Sequence, residues 1–444
     1  VEEPSSITGV IAAEGGRVTF ARFAEIALTH PTLGYYSRAE RLLGPGGDFS
    51  TAPALSPFFC RTLARLITEL VQSGLDADAE TGPAAGQAGT AASAPRGAGG
   101  LSVVELGGGE GHLAAAVLRR WQHERPEWRD RVAYRIVEVG SGLRRRQAAA
   151  VRALVAAGWE VAWGGDLEEA CAGTRPLVIF GNEFLDALPV HLVDVRGRAL
   201  LEAYVEAAPA GLRQTWSDIS PAAAAEIELL FGISDPVRLQ PLTQDGVLEV
   251  RPALKDLFGQ VGHLMPAGSF VTVDYGEWHR GLSCPAEATL SFAAAECSLQ
   301  ARATRRRTVR GYFKHGLTPA VLARPGRQDL TADLDFAALD LHGGRAGFET
   351  VVFTTLSAFL RGGGAEKELR SLRSALESGE IRSLESPPPV IGGAGAGRSP
   401  DASSPATPSP ADPLEADRQA TVLEHLLDER DLGGALKVMV QVRG

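Results

Sequence analysis

Hydrophobic and polar positions change period several times along this chain, and each change predicts an element. TFARFAEIALT, opened by Thr19, repeats its apolar groups at helical spacing. SPFFCRTLARLITELVQSG, residues 56–74, reads as a helix with Ser56 before it, Pro57 in its first turn and Gly74 near its end. Beyond residue 100 short apolar runs alternate with amphipathic ones. LSVVEL (101–106) predicts a strand and HLAAAVLRRWQHE (112–124) a helix. VAYRIVEV (132–139) predicts a strand and LRRRQAAAVRALVAAG (143–158) a helix. VAWG and LVIF (177–180) predict further strands. LEVRPALKDLFGQVGHLM begins extended and turns helical, and SFVTVDYG (269–276) is again a strand. This succession predicts an α/β fold: a Rossmann-like, mostly parallel sheet with helices on both faces and smaller added regions.

Two stretches break the pattern. Residues 76–100 are rich in Ala and Gly, and residues 386–413 in Pro, Gly and Ser. Neither holds enough apolar surface to offset its ordering entropy. The expected organisation is an N-terminal helical and lid region (1–75), a flexible insertion (76–100) and a cofactor-binding half (101–199). An appended region (200–250) and the rest of the core (251–385) follow. A low-complexity loop (386–418) precedes a closing helix and strand (419–444).

The formal net charge is -10, which argues against general nucleic-acid binding despite the basic run RATRRRTVR (302–310). The four cysteines stand far apart without a C-x-x-C pair, so neither a disulfide framework nor a metal site is expected. No run of eighteen apolar residues predicts a membrane span. The opening residues, VEEPSSITGVIAAEGG, match neither a signal peptide nor a basic transit peptide.

Candidate chemistry gathers at predicted strand ends. In VVELGGGEGHL, Glu105 ends a strand, and Gly107, Gly109 and Gly111 lead into a helix N-terminus with unpaired N–H groups. The spacing suits S-adenosylmethionine (SAM), which has no phosphate to neutralise. A dinucleotide and a ligand-free tight turn stay open as alternatives. Glu138 ends the next strand, where a carboxylate can accept both ribose hydroxyls. Asp166 fits either an adenine contact or a helix cap. FGNEFLDALPV (180–190) then sets Asn182, Glu183 and Asp186 at the end of a buried strand, where open α/β sheets bind ligands.

These stretches resemble the MidA family of SAM-dependent methyltransferases, whose mitochondrial member assembles respiratory complex I and methylates arginine. The resemblance rests on HPTLGYYS, GGDFSTAPALSPFF, VVELGGGEGHL, RIVEVGSGLRRRQ, NEFLDALPV, VTVDYG, RGYFKHG and PGRQDLTADLDFAAL, with LGGALKVMV near the end. Two departures stand out. Gly108 replaces the proline of the family's glycine loop, and Gly140 and Ser141 replace its Ser-Pro.

The resemblance implies methyl transfer to arginine of a partner protein, with a complex I subunit as the acceptor of the mitochondrial member. Glu183 and Asp186 become candidates to orient the guanidinium, with Asn182, His191 and Asp274 assisting. Asp48 and Ser50 are expected at the methionine end of the cofactor, and Asp166 stays a candidate for its adenine with the helix cap as the alternative. Tyr35, Tyr36, Tyr275, Gln328, Asp329, Thr331 and Asp333 are expected around the acceptor. No nucleic acid and no stable membrane insertion are expected. A eukaryotic origin implies the mitochondrial matrix, with a leader outside these residues; a bacterial origin implies the cytoplasm. A noncatalytic SAM-fold binding protein and an NAD(P)-dependent oxidoreductase are the competing expectations.

Overall fold

A computed structural model describes residues 4–37, 52–81, 100–209, 211–279, 304–314, 316–378 and 412–444. Its main sheet contains seven strands in a continuous path: β1 (Gly100–Leu106), β2 (Val132–Val137), β3 (Val161–Gly164), β4 (Thr174–Asn182), β5 (Gly268–Glu277), β6 (Glu349–Thr355) and β7 (Leu436–Arg443). Their spatial order is β6-β7-β5-β4-β1-β2-β3, and the short strand Leu334–Asp335 adds to the end of β5. All paired neighbours run parallel except β7, which lies antiparallel to both β5 and β6. The order reverses beside β1, so a crevice opens at the C-terminal ends of β1 and β4.

The strands at the centre are apolar on both sides because both faces carry helices. On one face Val103, Val178 and Val271 pack with Leu118, Ile67 and Trp121 in one core. The Trp121 indole donates to Thr68 Oγ1 at 3.2 Å, which satisfies its one polar atom. On the other face Val104, Ile179 and Phe270 meet Phe258, Leu339 and Ile227 in a second core.

Several elements depart from the sequence expectation. The helix opened at Pro57 runs to Thr81, into the stretch read as a flexible insertion. Its Leu70, Val71 and Leu75 are buried against the sheet face, so tertiary packing carries the helix past Gly74. The closing helix begins at Pro413, behind the Asp412 cap, inside the stretch read as loop. Residues of the 200–250 region form a second, five-stranded sheet. It also takes Arg17–Thr19 from the N-terminus, His191–Asp194 and Val247–Val250. A third, small sheet joins Gly316–Thr318, Arg310–Phe313 and Asp329–Thr331. Among the described residues no helix is long and apolar enough to cross a membrane, and no group of three or more His, Cys, Asp or Glu could hold a metal ion.

Candidate active site

A cavity of about 250 Å³ lies at the reversal of strand order. Its floor is the loop after β1. Gly107, Gly109 and Gly111 have φ of 67°, 51° and 85°, a backbone region that side chains make costly. At Gly107 space matters too, because a Cβ there would lie 2.7 Å from the Phe184 ring. The helix His112–Glu124 starts with no side-chain cap, leaving its first N–H groups facing the loop.

Two carboxylates mark the ends of β1 and β2. Glu105 is buried and accepts from the Tyr134 hydroxyl at 2.8 Å; burial pushes its carboxyl up to about 7. Glu138 is also buried, which raises its carboxyl. Its Oε1 accepts from the Gly140 amide at 2.8 Å, and its Oε2 from Gln147 Nε2 at 2.9 Å. A carboxylate offers about four lone-pair sites, so both oxygens keep acceptor capacity for hydroxyl groups. Both residues line the cavity, with Val137, Val139, Leu143, Leu28 and Leu188 as apolar wall.

Gln147 is the residue that sequence reasoning missed. It is fully buried, and its Nε2 also donates to the Gly109 carbonyl at 2.9 Å. Its Oε1 accepts from Trp163 Nε1 at 2.8 Å. One amide thus ties the glycine loop to Glu138 and to β3. A signal was present: a lone glutamine in the arginine- and alanine-rich helix after β2. A Cβ at position 108 would meet Ile136 at 2.9 Å and the Gln147 amide at 3.1 Å, so Gly108 leaves this amide its place.

The end of β4 supplies the opposite wall. Asn182, Glu183 and Phe184 line the cavity. Glu183 has φ of 48°, one of two non-glycine residues with positive φ among the described residues. Such a conformation costs about 1–2 kcal/mol. The surroundings hold it: its amide donates to the Val273 carbonyl at 2.8 Å. Its Oε1 accepts from the Ala52 amide and from Asn182 Nδ2, each at 3.1 Å. Burial raises the Glu183 carboxyl to about 7.

Asp186 and Asp274 sit behind this wall, and neither lines the cavity. Asp274 is fully buried. Its Oδ2 accepts from the amides of Leu185 (2.9 Å) and Asp186 (3.2 Å), and its Oδ1 from the Tyr275 amide (2.8 Å). These bonds hold the 3₁₀ turn Leu185–Ala187, so the expected catalytic residue Asp274 stands behind the cavity wall as a support of that turn. Burial raises Asp274 to about 7. Burial, together with Asp274, Asp329 and Glu183, raises Asp186 well above the carboxylate range. Arg251, also unforeseen, straps the turn by donating to the carbonyls of Leu188, Asp186 and Ala332.

Other expected residues separate. Tyr36 lines the cavity and its hydroxyl donates to Asp329 Oδ1 at 2.9 Å. Tyr35 is instead core, edge-on to Tyr36 at 5.3 Å. His191, expected to assist catalysis, lies in the second sheet, where Nδ1 meets Glu202 Oε1 at 2.6 Å, and it is not among the residues lining the cavity. Asp166 is exposed and caps Leu167–Cys171 by accepting from the Glu169 amide at 2.8 Å, which is the helix-cap alternative. Gln328 donates to the carbonyls of Ala320 and Val321 inside the small sheet, beside the buried Thr331. Asp333 pairs with Arg310 Nη1 at 2.6 Å, and the Arg310 guanidinium lies over the Tyr275 ring at 5.8 Å. Asp48 and Ser50 lie outside the described residues.

A parallel sheet reversing beside a glycine loop, with acids at successive strand ends, defines the class of Rossmann-like cofactor enzymes. Comparison with known proteins narrows the class. Residues 90–354 match the family described as "Putative S-adenosyl-L-methionine-dependent methyltransferase", and the chain belongs to it. It is similar to the mouse protein arginine methyltransferase NDUFAF7, mitochondrial, at 25% identity over 348 residues. That match covers 73% of this chain and 66% of the relative, so the chain spans slightly under two thirds of the relative's length. The zebrafish counterpart is 24% identical over 388 residues, 81% of this chain and 76% of its own. In fold it is similar to a Burkholderia thailandensis protein solved bound to S-adenosyl-homocysteine. There the identity is 24%, the coverage 98% of this chain and 90% of that one, and the TM-score 0.64.

The chain is thus a SAM-dependent methyltransferase, and the dinucleotide and noncatalytic expectations are set aside. The residues present fit the cofactor. Asn182 Oδ1 is buried without a hydrogen-bond partner, on a residue of the cavity wall. Glu105 and Glu138 offer acceptors to hydroxyl and ammonium groups, the glycine loop leaves room above its backbone, and among the described residues no basic side chain other than His112 lines the cavity.

Proposed function

We propose that this methyltransferase acts on a guanidino nitrogen of an arginine in a partner protein. The observation that carries the reading is Glu183, a half-buried carboxylate in the cofactor cavity wall, in a left-handed conformation and bonded to Val273, Ala52 and its neighbour Asn182. A strained, well-supported residue facing a cofactor cavity is the form functional positions take. The names of the relatives support arginine as the acceptor.

SAM supplies a methyl group already activated on a sulfonium. What remains for the protein is orientation and charge. A guanidinium is a weak nucleophile because its charge spreads over three nitrogens. Ionised Glu183 accepts from one N–H, concentrates charge on that side and turns another nitrogen toward the methyl. Tyr36 and Asp329 form the neighbouring wall and bound the acceptor. Asp274 and Arg251 act through the turn that carries Asp186. The proton is lost after transfer, from a nitrogen held against carboxylate.

The acceptor protein we favour is a respiratory complex I subunit, in the mitochondrial matrix for a eukaryotic chain and the bacterial cytoplasm otherwise. The test is incubation of the purified chain with methyl-tritiated SAM and purified complex I subunits, followed by amino-acid analysis. Label in methylarginine supports the reading. Label in lysine or in a small molecule overturns it. Glu183→Gln should keep SAM binding and lower transfer about 100-fold or more.

A further inference from the structure

Between residues 304 and 328 the chain holds seven Lys or Arg residues and no Asp or Glu, although the whole protein carries a net charge of -10. Two of these are neutralised internally. Arg305 pairs with Asp335 at 2.7 Å, and Arg310 with Asp333 at 2.6 Å. Arg306, Arg324 and Arg327 are exposed and have no carboxylate partner among the described residues; Arg307 is half-exposed and likewise unpaired. Arg324 is not loose: its guanidinium lies 4.4 Å from the centre of the Phe313 ring, with Lys314 over the same ring at 5.5 Å. A stacked arginine loses less freedom when it binds, so this cation is set in place beforehand.

The position of these cations matters more than their number. The turn carrying Arg324 and Arg327 packs on the segment that carries Tyr36. Gly326, with φ of 74°, approaches so closely that a Cβ would lie 2.2 Å from the Leu33 carbonyl. Two residues beyond Arg327 begins the strand whose Asp329 accepts the Tyr36 hydroxyl, and Tyr36 lines the cofactor cavity. The basic turn therefore stands beside the catalytic cavity. On the outer edge of the same small sheet, Leu317 is 64% exposed.

We propose that the surface formed by Arg324, Arg327, Lys314 and Leu317 docks the acceptor protein through an acidic segment. The enzyme then selects an arginine flanked by Asp or Glu. This rests on the arginine reading above and deepens it. The argument is charge complementarity. The chain carries net negative charge, so an acidic partner is repelled on average and drawn to basic surface, and this basic surface lies beside the cavity. The arginine itself enters toward Glu183, and the flanking acids stay on the cations outside. The same cations could serve nucleic acid, which the overall charge opposes, and that alternative is an arm of the test.

The experiment measures fluorescence anisotropy of the full chain, with S-adenosyl-homocysteine present, on three labelled probes. One is a peptide with a central arginine flanked by glutamates, one the same peptide with glutamines, and one a 20-nucleotide single-stranded RNA. The expected result is about tenfold tighter binding of the acidic peptide, weakening as salt rises from 50 to 200 mM. Arg324→Glu with Arg327→Glu should abolish the preference, with calorimetric SAM affinity and melting temperature reporting an intact core. Should that double variant fail to fold, Arg327→Gln with Lys314→Gln gives the same reading at smaller amplitude. Equal binding of both peptides, a preference that survives the substitutions, or tighter binding of the RNA would overturn the inference. Binding of the acidic peptide with methylation appearing on another residue type would overturn the arginine reading and leave the docking surface standing.

Discussion

Glu183 combines a half-buried place in the cavity wall, a left-handed backbone and a carboxyl raised to about 7, so its protonation changes in the physiological range. Methyl transfer needs the ionised form to accept a guanidinium N–H. Single-turnover rates should therefore rise with pH through about 7 and level off above it, and Glu183→Gln should flatten that limb. A pH-independent rate in the unmodified chain would count against Glu183. Gln147 gives a separate prediction. Gln147→Glu sets a second carboxylate against Glu138 and the Gly109 carbonyl, both within hydrogen-bond distance of the present amide. SAM affinity should fall about tenfold or more at pH 8 and recover in part as pH falls, because one proton shared between the acids restores a donor. At this scale the sequence showed residue types and strand-end positions. It offered the helix cap at Asp166 beside the adenine contact without deciding between them, and it could not show that His191 is held by Glu202, a neighbour on another strand.

Elements were more legible. The alternation of strand and helix from 101 to 180 survives in order and type, with bounds shifted by two or three residues at several ends, because apolar runs flanked by glycine turns have few other solutions. What stayed hidden is long-range. The strand Arg17–Thr19 pairs with residues 204–206 of the second sheet. The turn Leu185–Ala187 depends on the Asp274 carboxylate. Asp274→Asn replaces one acceptor oxygen by a donor facing backbone N–H groups, which should cost about 1–3 kcal/mol. A lowered melting temperature together with a greater loss of transfer than of SAM affinity would confirm this positioning part; unchanged transfer would refute it.

Over the whole molecule, buried acids set the response to pH. Glu105, Glu183 and Asp274 each sit near 7 in the folded chain and titrate near 4 when unfolded. The folded state thus holds protons that the unfolded state has already released between about pH 4 and 7. Their contribution to stability is greatest below this window and declines as pH rises through it. The melting temperature of the ligand-free chain should fall between about pH 4 and 7 and level off above, and the triple variant with Gln, Gln and Asn at these positions should fall less. Bound SAM raises stability by mass action at every pH.

The most direct measurement is a calorimetric titration of the folded chain with SAM, beside Gly107→Val and with NADH as the comparison ligand. The site described here predicts saturable SAM binding and none for NADH. It also predicts loss of SAM binding in Gly107→Val, where a side chain at φ of 67° would strike the Phe184 ring, while the variant stays folded by circular dichroism. No SAM binding by folded protein, or binding undiminished in Gly107→Val, would contradict the site.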